Sequence, residues 1–296
     1  MVAIDEAQFL DGPPCVVIDK VEMTYRVESS DDRSASSRGP RGVLRKLLRR
    51  RNLVTVHALK EISLVVERRE SVGIIGRNGS GKSTMMKLIS GQAAPTKGGV
   101  FASSTPILLG VNAALVPELS GDQNVVLGCL AMGMDMAEID EQFESIVELS
   151  GLDSAIYLPM KSYSSGMASR LRFAIAAAVN PEILLVDEAL NTGDAQFSNR
   201  SKARMDELRA QAGCVFIVSH SLDTIRDMCS RVIWLDKGEL IMDGTPEETT
   251  KLYQDFSSHL SKGNNISAER IKTEARAKLV ATQVLERASG RRTEGR

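Results

Sequence analysis

The stretch GIIGRNGSGKST (73–84) sets four glycines and a lysine directly behind an apolar run. Glycine has no Cβ, so such a loop lets backbone N–H groups approach a ligand closely. Gly76-Arg77-Asn78-Gly79-Ser80-Gly81-Lys82-Ser83 fits G-x-x-x-x-G-K-[ST], the phosphate-cradling pattern. The flanks agree. Ser71-Val72-Gly73-Ile74-Ile75 reads as a short buried strand, and residues 83–89, STMMKLI, read as a helix whose N-terminal amides and dipole face the phosphates. Gly76, Asn78, Gly79, Ser80, Gly81, Lys82, Ser83 and Thr84 are thus the nucleotide-binding candidates, with Lys82 on the outer phosphates and the Ser83 hydroxyl on Mg²⁺. The ligand implied is a nucleoside triphosphate.

The bulk of the chain narrows what that energy serves. Its 296 residues suit one large or two small domains, and 43% hydrophobic content is ordinary for a globular protein. A net charge of −1 points to no polyanionic partner, so nucleic acid is not expected. No apolar run is long enough to span a bilayer, and the acidic N-terminus is not a signal peptide. Cys15, Cys129, Cys214 and Cys229 lack C-x-x-C spacing and read as reduced packing residues.

Outward from the loop, residues 15–27 and 57–70 read as strands, 90–106 as turn-rich, and 122–150 as helices broken near Gly133. EILLVD (182–187) and CVFIVSH (214–220) read as buried strands, 198–212 as a helix stopped by Gly213, and 231–244 as a hairpin across Asp236-Lys237-Gly238. Thr245-Pro246-Glu247-Glu248 is a helix start with a Thr cap and Pro at N1. Apolar strands alternating with helices argue for an α/β core with a largely parallel sheet.

A triphosphate-hydrolysing site needs an acid for Mg²⁺ and a group to activate water. Asp187 closes a buried strand and is the metal candidate; Glu188 follows as the candidate to polarise water. His220 ends another strand, where open α/β sheets bind ligands. Tyr163-Ser164-Ser165-Gly166-Met167 precedes an amphipathic helix, and Gly166 lies 21 residues before Asp187. That segment resembles the signature motif Leu-Ser-Gly-Gly-Gln of ATP-binding-cassette (ABC) ATPases. The order of P-loop, signature, Asp-Glu and His is that family's order, and the resemblance covers residues 15–255.

The resemblance implies a P-loop cassette: a RecA-like core with a mostly parallel sheet, an antiparallel β subdomain and an α-helical signature subdomain. It also implies ATP and Mg²⁺ as ligands, Glu188 and His220 as catalytic residues, Tyr25 as the adenine-stacking aromatic and Asp194 as the D-loop aspartate. Ser164, Ser165 and Gly166 are expected to act in trans, on ATP held by the other subunit of a head-to-tail homodimer. The expected division is a cassette over 1–260 and a charged helical, partly disordered tail over 261–296.

Two departures sharpen the reading. No glutamine stands ahead of Pro117-Glu118-Leu119-Ser120; Asn112 is the nearest amide. Polysaccharide-exporting members resemble this chain at Leu108-Leu109-Gly110 and at Pro117-Glu118-Leu119-Ser120-Gly121 with Asn124, and likewise lack a standard Q-loop. Tyr25 and Gly76 are 51 residues apart, which leaves an insertion at about 28–56. Within it, VLRKLLRRR (43–51) sets Val43, Leu44, Leu47 and Leu48 on one helix face ringed by five cations, a membrane-surface or partner-binding pattern. The leading expectation is the ATP-hydrolysing subunit of an exporter of lipid-linked polysaccharide, held at the cytoplasmic face of the membrane by a separate permease dimer. The alternatives are another export substrate or a non-transport ABC ATPase; a GTPase would show N-K-x-D, which is absent.

Overall fold

A computed structural model describes residues 13–28, 53–109, 115–187, 195–280 and 282–284. Its centre is a six-stranded sheet. Strands β3 (Ser71–Ile75), β5 (Ile107–Leu109), β6 (Ile183–Val186), β7 (Cys214–Val218), β8 (Arg231–Asp236) and β9 (Glu239–Gly244) run in the spatial order β5-β6-β7-β3-β8-β9. All neighbours are parallel except the β8–β9 hairpin. β3, β5 and β7 are near-continuous apolar runs because both faces of a parallel sheet are covered.

A second, three-stranded antiparallel sheet pairs β1 (Val16–Glu28) with β2 (Leu53–Val66) and with β4 (Lys97–Ala102). It covers one face of the central sheet. Its inward residues Val16, Ile18, Leu59, Ile62 and Leu64 join Val72, Ile74, Phe216 and Ile233 in one buried cluster. The P-loop helix α1 (Lys82–Ile89) adds Met85, Met86, Leu88 and Ile89 to it.

A helical lobe leaves and re-enters the core between β5 and β6. It contains α2 (Gly121–Ala131), α3 (Met136–Ser150), two 3₁₀ turns (Asp153–Tyr157 and Met160–Ser162) and α4 (Ser165–Ala178). The lobe has a core of its own in Val125, Cys129, Ile139, Ile146, Ile156 and Leu171. Asp135 caps α3 and exchanges hydrogen bonds with Glu138, while Gly151 ends it in the left-handed conformation.

The other face of the central sheet carries α5 (Ala195–Gln211), α6 (Leu222–Met228), α7 (Pro246–Ser261) and α8 (Asn265–Ala277). Trp234 of β8 is fully buried there, with its ring 5.0 Å from Phe256 and 5.5 Å from Tyr253 between centroids. Such aromatic pairs contribute about 0.5–1.5 kcal/mol beyond their burial.

Several expectations change on inspection. The stretch 90–106 contains β4, and residues 53–56 extend β2 rather than belonging to the insertion. Glu28 pairs with Leu53, so the two strands continue together to the edge of the described residues. The basic segment 43–51 and Asn112 lie outside those residues. Thr245 stands at the N-cap of α7 with Pro246 at N1, but its side chain makes no capping hydrogen bond. Residues 265–277, within the stretch read as a charged tail, form α8, whose Ala268 and Ala275 are buried in the cluster around Trp234. All four cysteines are free and buried; burial pushes the Cys129 thiol up to about 11 and the Cys229 thiol up to about 12.

Candidate nucleotide site

The P-loop leaves β3 at Ile75 and enters α1 at Lys82. Gly81 occupies the N-cap at φ 109, a left-handed value that disfavours any other residue. A Cβ on Gly81 would stand 2.6 Å from Leu59 Cδ2 and 2.7 Å from the Ala58 carbonyl oxygen. One on Gly76 would strike the Leu235 carbonyl and come within 2.5 Å of Ser80 Oγ. Both positions are closed to a side chain by backbone beneath the loop. At Gly79, by contrast, a Cβ would meet nothing within 4 Å among the described residues.

Lys82 is buried and folds over the loop, with Nζ donating to the carbonyls of Gly76 at 2.6 Å and Arg77 at 3.1 Å. The Ser80 amide donates to the Arg77 carbonyl at 3.0 Å, and the buried Ser80 hydroxyl has no hydrogen-bond partner among the described residues. Asn78 and Ser83 are exposed and Thr84 half-buried. Gly81 offers no side chain to accept from the first-turn amides of α1. A cradle bounded by backbone, a buried lysine and the amides of a helix N-terminus fits a phosphate.

Sheet register brings further chemistry to the same edge. Ile74 faces Val218 across β3–β7, and Val186 faces Ile217 across β6–β7. Gly76, Asp187 and His220 thus leave neighbouring parallel strands at their C-terminal ends, where open α/β sheets bind ligands. Asp187 is half-buried and His220 exposed. Glu188 and Asp194 lie outside the described residues. Tyr25, half-buried on β1, pairs with Val56, two residues before the Ala58 carbonyl that backs Gly81. The oxygen donors Ser83 and Asp187 suit a hard cation such as Mg²⁺, which binds through few protein ligands plus substrate phosphates.

The signature segment heads the helical lobe. Ser164 is the N-cap of α4, and its hydroxyl accepts from the Met167 amide at 3.2 Å. Ser164, Ser165 and Gly166 are all exposed. Met167, where the family has glutamine, packs against the lobe's core. The Tyr163 hydroxyl donates to the Ala155 carbonyl at 2.7 Å and sits where a Cβ on Gly121 would be. Burial, and then the Asp122 carboxylate, raise the Tyr163 phenol above its ordinary value.

One residue of this region had no role assigned from sequence. Asn124 is fully buried; its Oδ1 accepts from the Val116 amide at 2.7 Å, and its Nδ2 donates to the carbonyls of Val116, Leu119 and Ser120. It fixes the Pro117–Ser120 turn. That turn in turn holds the lead-in to the signature, because Met160 and Lys161 donate their amides to Leu119 and Pro117 at 2.9 and 2.8 Å. The sequence signal was the asparagine's fixed place after Pro117-Glu118-Leu119-Ser120-Gly121.

Residues 59–191 match the ABC transporter family. The chain carries an ABC ATP-binding domain. It is 39% identical over 219 residues to a teichoic acids export ATP-binding protein, TagH, of Lactococcus lactis, covering 74% of this chain and 47% of that protein. It is 38% identical over 209 residues to the O-antigen export system ATP-binding protein RfbB of Myxococcus xanthus, covering 70% and 48%. The chain spans about half the length of these relatives. Among solved structures, an ATP-binding subunit of an ABC transporter superposes with a TM-score of 0.62 at 20% identity, over 81% of this chain and 93% of that one. A dimeric ATP-binding cassette in a post-hydrolysis state bound to ADP and Pi gives 0.58 at 22% identity, over 78% and 98%. These likenesses are to the fold.

Proposed function

We propose that this chain binds and hydrolyses MgATP and powers export of a lipid-linked polysaccharide through a separate membrane subunit. The observation that carries the ATP reading is the P-loop cradle, with a buried lysine inside it and Asp187 and His220 leaving the same sheet edge. Lys82 meets the outer phosphates, the amides of 79–83 surround them, and Tyr25 stacks on adenine. Ser83 and Asp187 would hold Mg²⁺, which would neutralise the charge that develops on the β- and γ-phosphates. Glu188 polarises the attacking water, and His220 stands beside the γ-phosphate.

The exposed signature end of α4 supports a homodimer in which Ser164, Ser165 and Gly166 close on ATP held by the partner, with Asp194 as the D-loop aspartate. The polysaccharide rests on the relatives' names, which concern teichoic acid and O-antigen export. No helix among the described residues is long and apolar enough to cross a membrane, so the spanning path is assigned to a partner. The chain then works at the cytoplasmic membrane face.

Phosphate release by the purified chain tests the enzyme reading. ATP-dependent release in wild type, lost in Lys82→Ala, supports it; equal rates in both refute it. Flipping of defined lipid-linked glycans in vesicles holding the chain and its membrane subunit tests the substrate.

A further inference from the structure

Helix α8 grips the turn that underlies the P-loop. Lys272, itself buried, places Nζ 2.5 Å from Oδ2 of the buried Asp236, the last residue of β8. One turn along the same helix face, Arg276 pairs with Glu239, the first residue of β9, which also takes Lys60 Nζ at 2.8 Å. α8 therefore holds both flanks of the two-residue turn Lys237-Gly238. Lys237 sits at φ 50, a left-handed value that a non-glycine residue keeps only when its surroundings enforce it.

The turn is in direct contact with the nucleotide loop. The Gly238 amide donates to the Ser80 carbonyl at 2.9 Å, and the Gly238 carbonyl accepts from the Lys60 amide at 2.8 Å. Leu235, just before Asp236, puts its carbonyl against Gly76. An unbroken series of contacts thus runs from Lys272 through Asp236 and Gly238 to Ser80. Removing Lys272 would leave the Asp236 carboxylate buried and uncompensated, which favours movement of the turn away from its place under the loop.

From this geometry we infer that α8, through Lys272, is a positioning element for the P-loop, so that a helix remote in sequence sets the affinity for nucleotide phosphate. The affinity part rests on the ATP reading above; the mechanical part does not. Lys272 acts through Asp236 and Gly238.

The test compares wild type, Lys272→Met and Lys272→Arg as full chains. Hydrogen exchange without nucleotide is followed over 73–84 and 236–240, with β7 as internal reference, and MgATP affinity is titrated beside it. In Lys272→Met the P-loop and turn amides exchange about tenfold faster while β7 is unchanged, and ATP binds about tenfold more weakly, equivalent to 1.4 kcal/mol. Lys272→Arg, which keeps the charge, returns both to within about threefold of wild type. A Lys272→Met chain that melts lower but shows unaltered P-loop exchange overturns the inference, because α8 then stabilises without positioning. If Lys272→Met does not fold, Glu239→Gln loosens the other flank and carries the same prediction at smaller amplitude; unaltered exchange there overturns it equally. Failure of wild type to bind MgATP better than Lys82→Ala would count against the ATP reading alone, and the exchange comparison would still decide whether α8 positions the loop.

Discussion

Two helix N-termini in this molecule have opposite constructions. α1 begins at Gly81, which has no side chain to offer to the first-turn amides. α4 begins at Ser164, whose hydroxyl already accepts from the Met167 amide. The first end is enclosed, backed by Leu59, the Ala58 carbonyl and the 236–239 turn, and holds a buried lysine. The second is exposed and has no lysine among its first residues. A helix end built like α1 can bind phosphate alone. One built like α4 stabilises itself, keeps its serine O–H available to donate, and adds to a phosphate site that something else has assembled. The contrast fits the proposal that ATP binds at the first end and that the second closes on it across a dimer.

The most severe way to break this contrast is to make α1 begin as α4 does. Gly81→Ser forces a side chain into the Leu59 contact at a left-handed φ, and MgATP affinity should fall by more than about 100-fold, read by equilibrium titration. Lys82→Ala removes the charge together with its hydrogen bonds to the Gly76 and Arg77 carbonyls, and the loss should be roughly 10- to 100-fold, the worth of a charge-assisted hydrogen bond. At the other end, Ser164→Ala should lower the helical lobe's stability by about 1 kcal/mol in denaturant unfolding and leave ATP binding by the monomer unchanged. A loss of monomer affinity there would erase the distinction.

The smallest effect is a pH dependence confined to the signature end. The folded-state pKa of Tyr163 is raised above its ordinary value of 10.0, chiefly by burial. The contribution is therefore complete below about pH 10 and is lost as pH rises through the folded pKa. The stability difference between wild type and Tyr163→Phe, measured by urea melts, should shrink above that pH; a flat difference would show that the phenol's burial is not what holds the lead-in to Ser164.

How much of this was legible in sequence follows from which interactions are local. The P-loop, its strand and its helix are contiguous, so spacing and composition fix them together. β6 and β7 are apolar runs of the length a buried parallel strand needs. β4, KGGVFA, reads as a turn because its two glycines have weak strand propensity; pairing with β1 makes it a strand, and Gly98 at φ 74 lies against the carbonyls of Asp19 and Lys20. α8 reads as a solvated tail because its lysine and arginine find their partners, Asp236 and Glu239, more than thirty residues away. Charge pattern along one helix cannot reveal an acid on a distant hairpin. The signature was legible only through resemblance, since Ser-Ser-Gly ahead of a helix is also an ordinary cap. Asn124 was visible as a motif letter, but its four hydrogen bonds depend on a turn that only the fold closes.

Sedimentation of the Glu188→Gln chain with MgATP, with and without Ser164→Arg, tests the division between the two ends most directly. Glu188→Gln should bind ATP, hydrolyse it poorly and sediment as a dimer. Adding Ser164→Arg should return it to a monomer whose ATP affinity is unchanged. An ATP-bound dimer that survives Ser164→Arg, or a monomer that loses ATP with it, would contradict the assignment.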